Sequence, residues 1–113
     1  MISRRFAALA LILGLMALVV PKISLAAENY VAEAISHTKE AIAAGKAGHA
    51  DGVVAHSEVA LKHAEAGEKE KANPHLEQGI AHLKEAVETA KKGDAAIGTK
   101  HAEEALKHLE QAQ

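Results

Sequence analysis

His56-Ser57-Glu58-Val59-Ala60-Leu61-Lys62-His63 and His101-Ala102-Glu103-Glu104-Ala105-Leu106-Lys107-His108 are one stretch written twice, 45 residues apart. Each copy carries two histidines seven residues apart. Seven residues is close to two α-helical turns, so both imidazoles leave one face of a helix. Outward from this stretch the same shift keeps working. Ile35-Ser36-His37-Thr38-Lys39-Glu40-Ala41-Ile42 falls on Ile80-Ala81-His82-Leu83-Lys84-Glu85-Ala86-Val87, and Gly48 falls on Gly93. An internal repeat of this length decides the architecture more firmly than local propensity does.

Each repeat reads as a helical hairpin, because Ala, Glu, Lys and Leu dominate and strand-type clusters are lacking. The first helix is expected from about Glu28 to Ala47, with Val31, Ala34, Ile35, Ala41 and Ile42 on one face. Gly45 and Gly48 are expected to weaken and end it. The second is expected from about Ala50 to Ala66 on Val53, Val54, Ala60, Leu61 and Ala64. Gly67 should stop it and Glu68-Lys69-Glu70-Lys71 should form a solvated linker. Asn73 as cap and Pro74 at the first helical position start the third, which runs to about Lys92 on Leu76, Ile80, Leu83, Ala86, Val87 and Ala90. Gly93 closes it. Asp94 caps the fourth, which reaches about Ala112 on Ile97, Ala102, Ala105, Leu106 and Leu109. The fold class is therefore all-α: an up-down-up-down four-helix bundle of two tandem hairpins, at about 28–67 and 73–113. The alternative pairs extended hairpins between chains. Gly79 and Gly98 inside helices are expected to cost about 1 kcal/mol each.

The first part of the chain reads as an address. Met1-Ile2-Ser3-Arg4-Arg5 is a basic n-region, Phe6 to Val20 is an apolar run, and Ser24-Leu25-Ala26 offers small residues at a cleavage position. That is the anatomy of a secretory signal peptide over residues 1–26, cut after Ala26 or, as second choice, Ala27. An uncleaved anchor is the competing reading, but the fifteen-residue run falls short of the roughly 18–20 a spanning helix needs. Export to the periplasm is expected, with no stable membrane association after cleavage. Without Arg4, Arg5 and Lys22 the basic residues fall to ten against fifteen acidic ones, which disfavours nucleic acid and favours cations as partners. The exported part has no Cys, Met, Trp or Arg, so neither disulfides nor thiol ligands are available. A monomer is expected.

In a heptad register with Val31, Leu76, Ala102 and Leu109 at a, the residues His37, His56, His63, His75, His82, His101 and His108 all fall at g. His49 keeps the register but sits at a turn. The g edge borders the core and still meets water. Folding each hairpin at its glycine sets His37 opposite the interval between His56 and His63, and His82 opposite the interval between His101 and His108. Two histidines seven apart lie about 10.5 Å apart along the axis, so the two by themselves cannot share one ion. The remaining ligands must come from the partner helix or from a carboxylate one turn away. Glu40, Glu85 and Glu104 each follow a histidine by three, and Glu33 precedes His37 by four. His101, Glu104 and His108 form the best set on a single helix. For one histidine at such an edge, a polar flank to the core is the simpler reading. Nothing in helix packing asks for seven of them, so metal coordination is the expectation.

Imidazole and carboxylate suit Cu(II), Ni(II) and Zn(II), with Cu(II) bound tightest; absent thiolates and thioethers count against Cu(I). Only neutral imidazole binds a cation, so affinity is expected to fall as pH drops through about 6.5.

These residues carry a resemblance to the small metal-binding proteins (SmbP type), histidine-rich periplasmic proteins of bacteria. It covers about Val31 to Gln113, and the features that carry it are the signal peptide, the heptad-spaced histidines and segments such as His82-Leu83-Lys84-Glu85-Ala86 and Lys100-His101-Ala102-Glu103-Glu104-Ala105-Leu106-Lys107-His108. The resemblance implies a four-helix bundle binding several divalent ions, copper(II) preferred, in copper tolerance or buffering. Tyr30, Ala44 and Thr89 hold register positions without histidine, which bears on the number of sites.

Two other functions compete. A ferritin-like di-iron enzyme needs inward Glu-x-x-His pairs. Here the order is His-x-x-Glu, at 37/40, 82/85 and 101/104, so no enzyme is expected. A periplasmic stress or chaperone-like bundle without a physiological metal would use exposed helix faces, and exposed aromatics are lacking.

Overall fold

The computed structural model describes residues 25–113 and contains four helices: α1 (Leu25–Lys46), α2 (Ala50–Glu70), α3 (Pro74–Lys91) and α4 (Ala95–Gln111). The basic n-region and the apolar run of the expected signal peptide lie outside the described residues. No described helix is long and apolar enough to cross a membrane.

The two hairpin turns are built alike. Gly48 and Gly93 adopt φ of +81° and +90°, a left-handed conformation that suits glycine. At the first turn Gly48 N–H donates to Gly45 O (3.0 Å) and His49 N–H to Ala44 O (2.9 Å). At the second, Gly93 N–H donates to Ala90 O (2.9 Å) and Asp94 N–H to Thr89 O (3.2 Å). These paired bonds satisfy the last helical carbonyls and reverse the chain. Asn73 Oδ1 accepts from the amides of His75 and Leu76, with Pro74 behind it, and Asp94 Oδ1 accepts from Ile97 N–H. Both caps lie where the sequence puts them.

Three-residue connections, 47–49, 71–73 and 92–94, make successive helices antiparallel neighbours. α1 packs on α2 and α4, and α3 packs on α2 and α4, so the helices stand at the corners of a square. One core cluster joins Val31, Ile35, Ala60, Ala64, Leu76, Leu83, Ala105 and Leu109. A second, smaller one joins Ala41, Ile42, Ala86 and Ala102. Toward the hairpin turns the packing relies on small residues. A Cβ on Gly45 would collide with Thr99 Oγ1, and one on Gly98 would lie 3.3 Å from both Ala86 O and Val53 Cγ1.

Five details differ from the sequence reading. α1 begins at Leu25, three residues before Glu28, and runs through Gly45 to Lys46, because Gly45 is a buried contact point against Thr99 and does not end the helix. α2 runs through Gly67 to Glu70 instead of stopping, because Gly67 is buried where a Cβ would meet Tyr30 Cβ at 3.3 Å and Leu76 Cδ2 at 3.4 Å. The expected linker is thus mostly the last turn of α2. Gly79 and Gly98 are contact points: a Cβ on Gly79 would lie 2.9 Å from Leu109 Cδ2. Their intrinsic helix penalty is offset by closer packing. Ile97, read as inward, is 45% exposed, while Gly98 and Thr99 face the core in its place. Thr38, Ser57 and Thr99 are buried polar residues; Thr38 and Thr99 donate to the carbonyls of Ala34 (2.7 Å) and Ala95 (2.6 Å).

Candidate metal centre

The helices carry the histidines to two seams, one within each hairpin. In the first, the heptad step places His37 on α1 and His56 and His63 on α2. The hairpin turn sets their register. His37 and His63 stack at 5.5 Å between ring centroids, with planes 4° apart. On the other side Glu40 bridges the seam: Oε1 is 3.1 Å from His37 Nδ1 and Oε2 is 4.0 Å from His56 Nδ1. Glu33 Oε2 lies 3.9 Å from His37 Nε2. His37 therefore stands between His56 and His63, as the register predicts.

The second seam repeats the plan. Glu85 Oε1 is 3.6 Å from His82 Nδ1 and Oε2 is 3.7 Å from His101 Nδ1. His82 stacks on His108 at 5.4 Å with planes 5° apart, and lies 6.2 Å from His101. The seams differ at their outer ends. Tyr30 approaches His63 at 6.4 Å, and His75 takes the equivalent place beside His108, also at 6.4 Å. Gln78 stands at the repeat position of Glu33.

Among the described residues, three groups bring a donor atom from each of three side chains within 4.8 Å of one another: Glu33/His37/His63, His37/Glu40/His56 and His82/Glu85/His101. Metal–ligand bonds of about 2.0–2.2 Å put neighbouring donors about 3 Å apart, so a side-chain adjustment of an ångström or two closes each group on an ion. The side chains of His37, His82 and His101 are 27%, 30% and 26% exposed, open enough for entry and partly shielded from water.

The buried ring atoms suit a cation. Nδ1 of His37, His82 and His108 is shielded from solvent and makes no hydrogen bond. At His37 the Glu40 Oε1 atom comes within 3.1 Å of Nδ1 without forming a hydrogen bond to it. A buried polar atom left this way is costly, and a metal ion would satisfy it. The donors are imidazole nitrogen and carboxylate oxygen, a set that fits borderline divalent transition metals.

The other expected ligands are placed differently. Glu104 belongs to none of the three groups. It is exposed and accepts a 3.2 Å bond from Lys107 Nζ, whose hydrogen bond and charge hold its carboxyl below the ordinary value. The single-helix set of His101, Glu104 and His108 is therefore not assembled. His49 is exposed at the start of α2, makes no side-chain capping bond and joins no group. His75 is exposed and reaches the seam only through His108. Glu33 gains weight from the fold, its offset of four from His37 being the signal in the sequence.

A family model described as small metal-binding protein matches residues 5–112 of the chain. No curated protein matches it.

Proposed function

The chain belongs to the small metal-binding protein family, and from that premise we propose that it sequesters or buffers divalent transition-metal ions in the periplasm, copper(II) before nickel(II) or zinc(II). The observation that carries the reading is the convergence of half-buried imidazoles from both helices of each hairpin: His37 with His56 and His63, and His82 with His101 and His108. Glu40 and Glu85 sit between them and add negative charge where a cation would bind.

What these residues do is bind and hold. The edge position keeps the rings near water, so an ion enters and leaves without unfolding the bundle. The reading is binding without turnover, supported by the His-x-x-Glu order at 37/40, 82/85 and 101/104, which is the reverse of the Glu-x-x-His pairs of a di-iron enzyme. Preference for Cu(II) follows from the nitrogen-rich donor set and from the general order of divalent affinities. Export follows from the basic, apolar and small-residue pattern of residues 1–26.

Competition of Cu(II), Ni(II) and Zn(II) for the purified protein tests this. The expected result is uptake of all three, with Cu(II) displacing the others and producing a d–d absorption band typical of nitrogen ligation. No uptake below millimolar concentrations would sink the reading.

A further inference from the structure

His37 takes part in both groups of the first hairpin. Glu33 approaches its Nε2 at 3.9 Å, and Glu40 approaches its Nδ1 at 3.1 Å. The two carboxylates therefore lie at opposite edges of one ring. His63, the third member with Glu33, stacks beside that ring, and His56, the third member with Glu40, lies across the shared carboxylate.

A neutral imidazole has one in-plane lone pair and one N–H. An ion on one nitrogen leaves the proton on the other. We propose that His37 is a two-way ligand whose tautomer selects between these half-sites, so that the first hairpin holds one divalent ion at a time, on either the Glu33/His63 side or the Glu40/His56 side. This rests on the metal-binding reading above and adds its occupancy rule.

The carboxylate on the free side has a task. With the ion at Nε2, the Nδ1 proton faces Glu40 Oε1, and a small turn of either side chain aligns a charge-assisted hydrogen bond. With the ion at Nδ1, the Nε2 proton faces Glu33. A carboxylate accepting the second N–H of a metal-bound histidine fixes the ring and raises its basicity. Glu33 and Glu40 thus exchange two roles, ligand and orienting partner, as the ion changes sides. An ion can cross the hairpin by passing between the edges of one side chain, with a proton moving the other way.

The test uses the chain labelled with 15N in its histidines and titrated with Zn(II), which is diamagnetic. Two-bond nitrogen–proton correlations show whether each ring nitrogen is protonated or metal-bound. At saturation His37 is expected to carry one metal-bound and one protonated nitrogen. In His56→Ala the bound nitrogen should be Nε2, and in His63→Ala it should be Nδ1. His37→Ala and the His56→Ala/His63→Ala double variant should each bind one ion fewer than the parent. Loss of the proton from both nitrogens of His37, the same nitrogen bound in both single variants, or two ions lost on His37→Ala would overturn the proposal. Zn(II) uptake that leaves the His37 ring unchanged removes this inference alone. Absence of any uptake of Zn(II) or Cu(II) removes it together with the buffering function.

Discussion

His37 and His63 belong to different helices, yet their imidazole planes lie within 4° of parallel at 5.5 Å. His82 and His108 repeat this at 5° and 5.4 Å. Two seams with one geometry follow from two turns with one geometry, because the positive-φ glycines fix the register in each hairpin. Edge residues are aligned by the turn, while the core beneath them is filled by other side chains.

Replacing His101 and His108 together with alanine should therefore remove ligands without removing packing. The double variant is expected to lose at least one Cu(II) equivalent in equilibrium dialysis while its far-UV circular dichroism stays that of the parent. Unchanged uptake would strike both residues from the second seam.

Gly45→Ala should destabilise the bundle despite the better helix propensity of alanine. The added Cβ meets Thr99 Oγ1 and Thr99 Cβ, and comes 3.1 Å from Val53 Cγ2. Overpacking of this kind costs about 1–3 kcal/mol or more, against about 1 kcal/mol gained from propensity. Thermal unfolding should show Tm lowered by roughly 5 °C or more. Adding Thr99→Ala should restore part of the loss, since the hydroxyl leaves and the Cβ remains.

Asn73→Ala should cost about 1 kcal/mol in chemical denaturation. Its Oδ1 caps α3 at the amides of His75 (2.9 Å) and Leu76 (3.4 Å). Its Nδ2 also reaches Ala112 O at 3.5 Å, tying the end of α4 to the connection between hairpins. Asn73→Asp should keep the cap and lose only that tie, so it should fall between the two.

The Glu104–Lys107 pair gives a small pH effect of known sign. Lys107 lowers the Glu104 carboxyl below its ordinary value through a hydrogen bond and its charge. Stability from the pair is thus fully present above the ordinary carboxylate range and is lost as pH falls through the lowered value. Glu104→Gln should be slightly less stable than the parent at pH 7, with the gap closing in strong acid. High salt should erase it at pH 7, because both side chains of the pair are exposed.

Much of the site was legible because it depends on period and turn position. The step of seven put the histidines on one edge, and the duplicated glycines fixed which faced which. His37 between His56 and His63 follows from those facts. What the sequence concealed depends on the contacts between helices. Gly67 looks like a stop, but Tyr30 and Leu76 make it a close-packing point inside α2. Ile97 looks like core, but the close approach of α4 at Gly98 and Thr99 turns it toward solvent. Glu104 has the spacing of a ligand, and Lys107, at the same helical distance on its other side, takes it instead. Spacing cannot rank two partners equally near along one helix.

Each of the three donor groups draws on only the two rods of its own hairpin, α1 with α2 or α3 with α4. An ion clasped there would staple a pair of neighbours and add nothing to the joint between the pairs. That joint rests instead on apolar packing, because Val31, Ala60, Leu76 and Leu109 bring all four helices into one shared core.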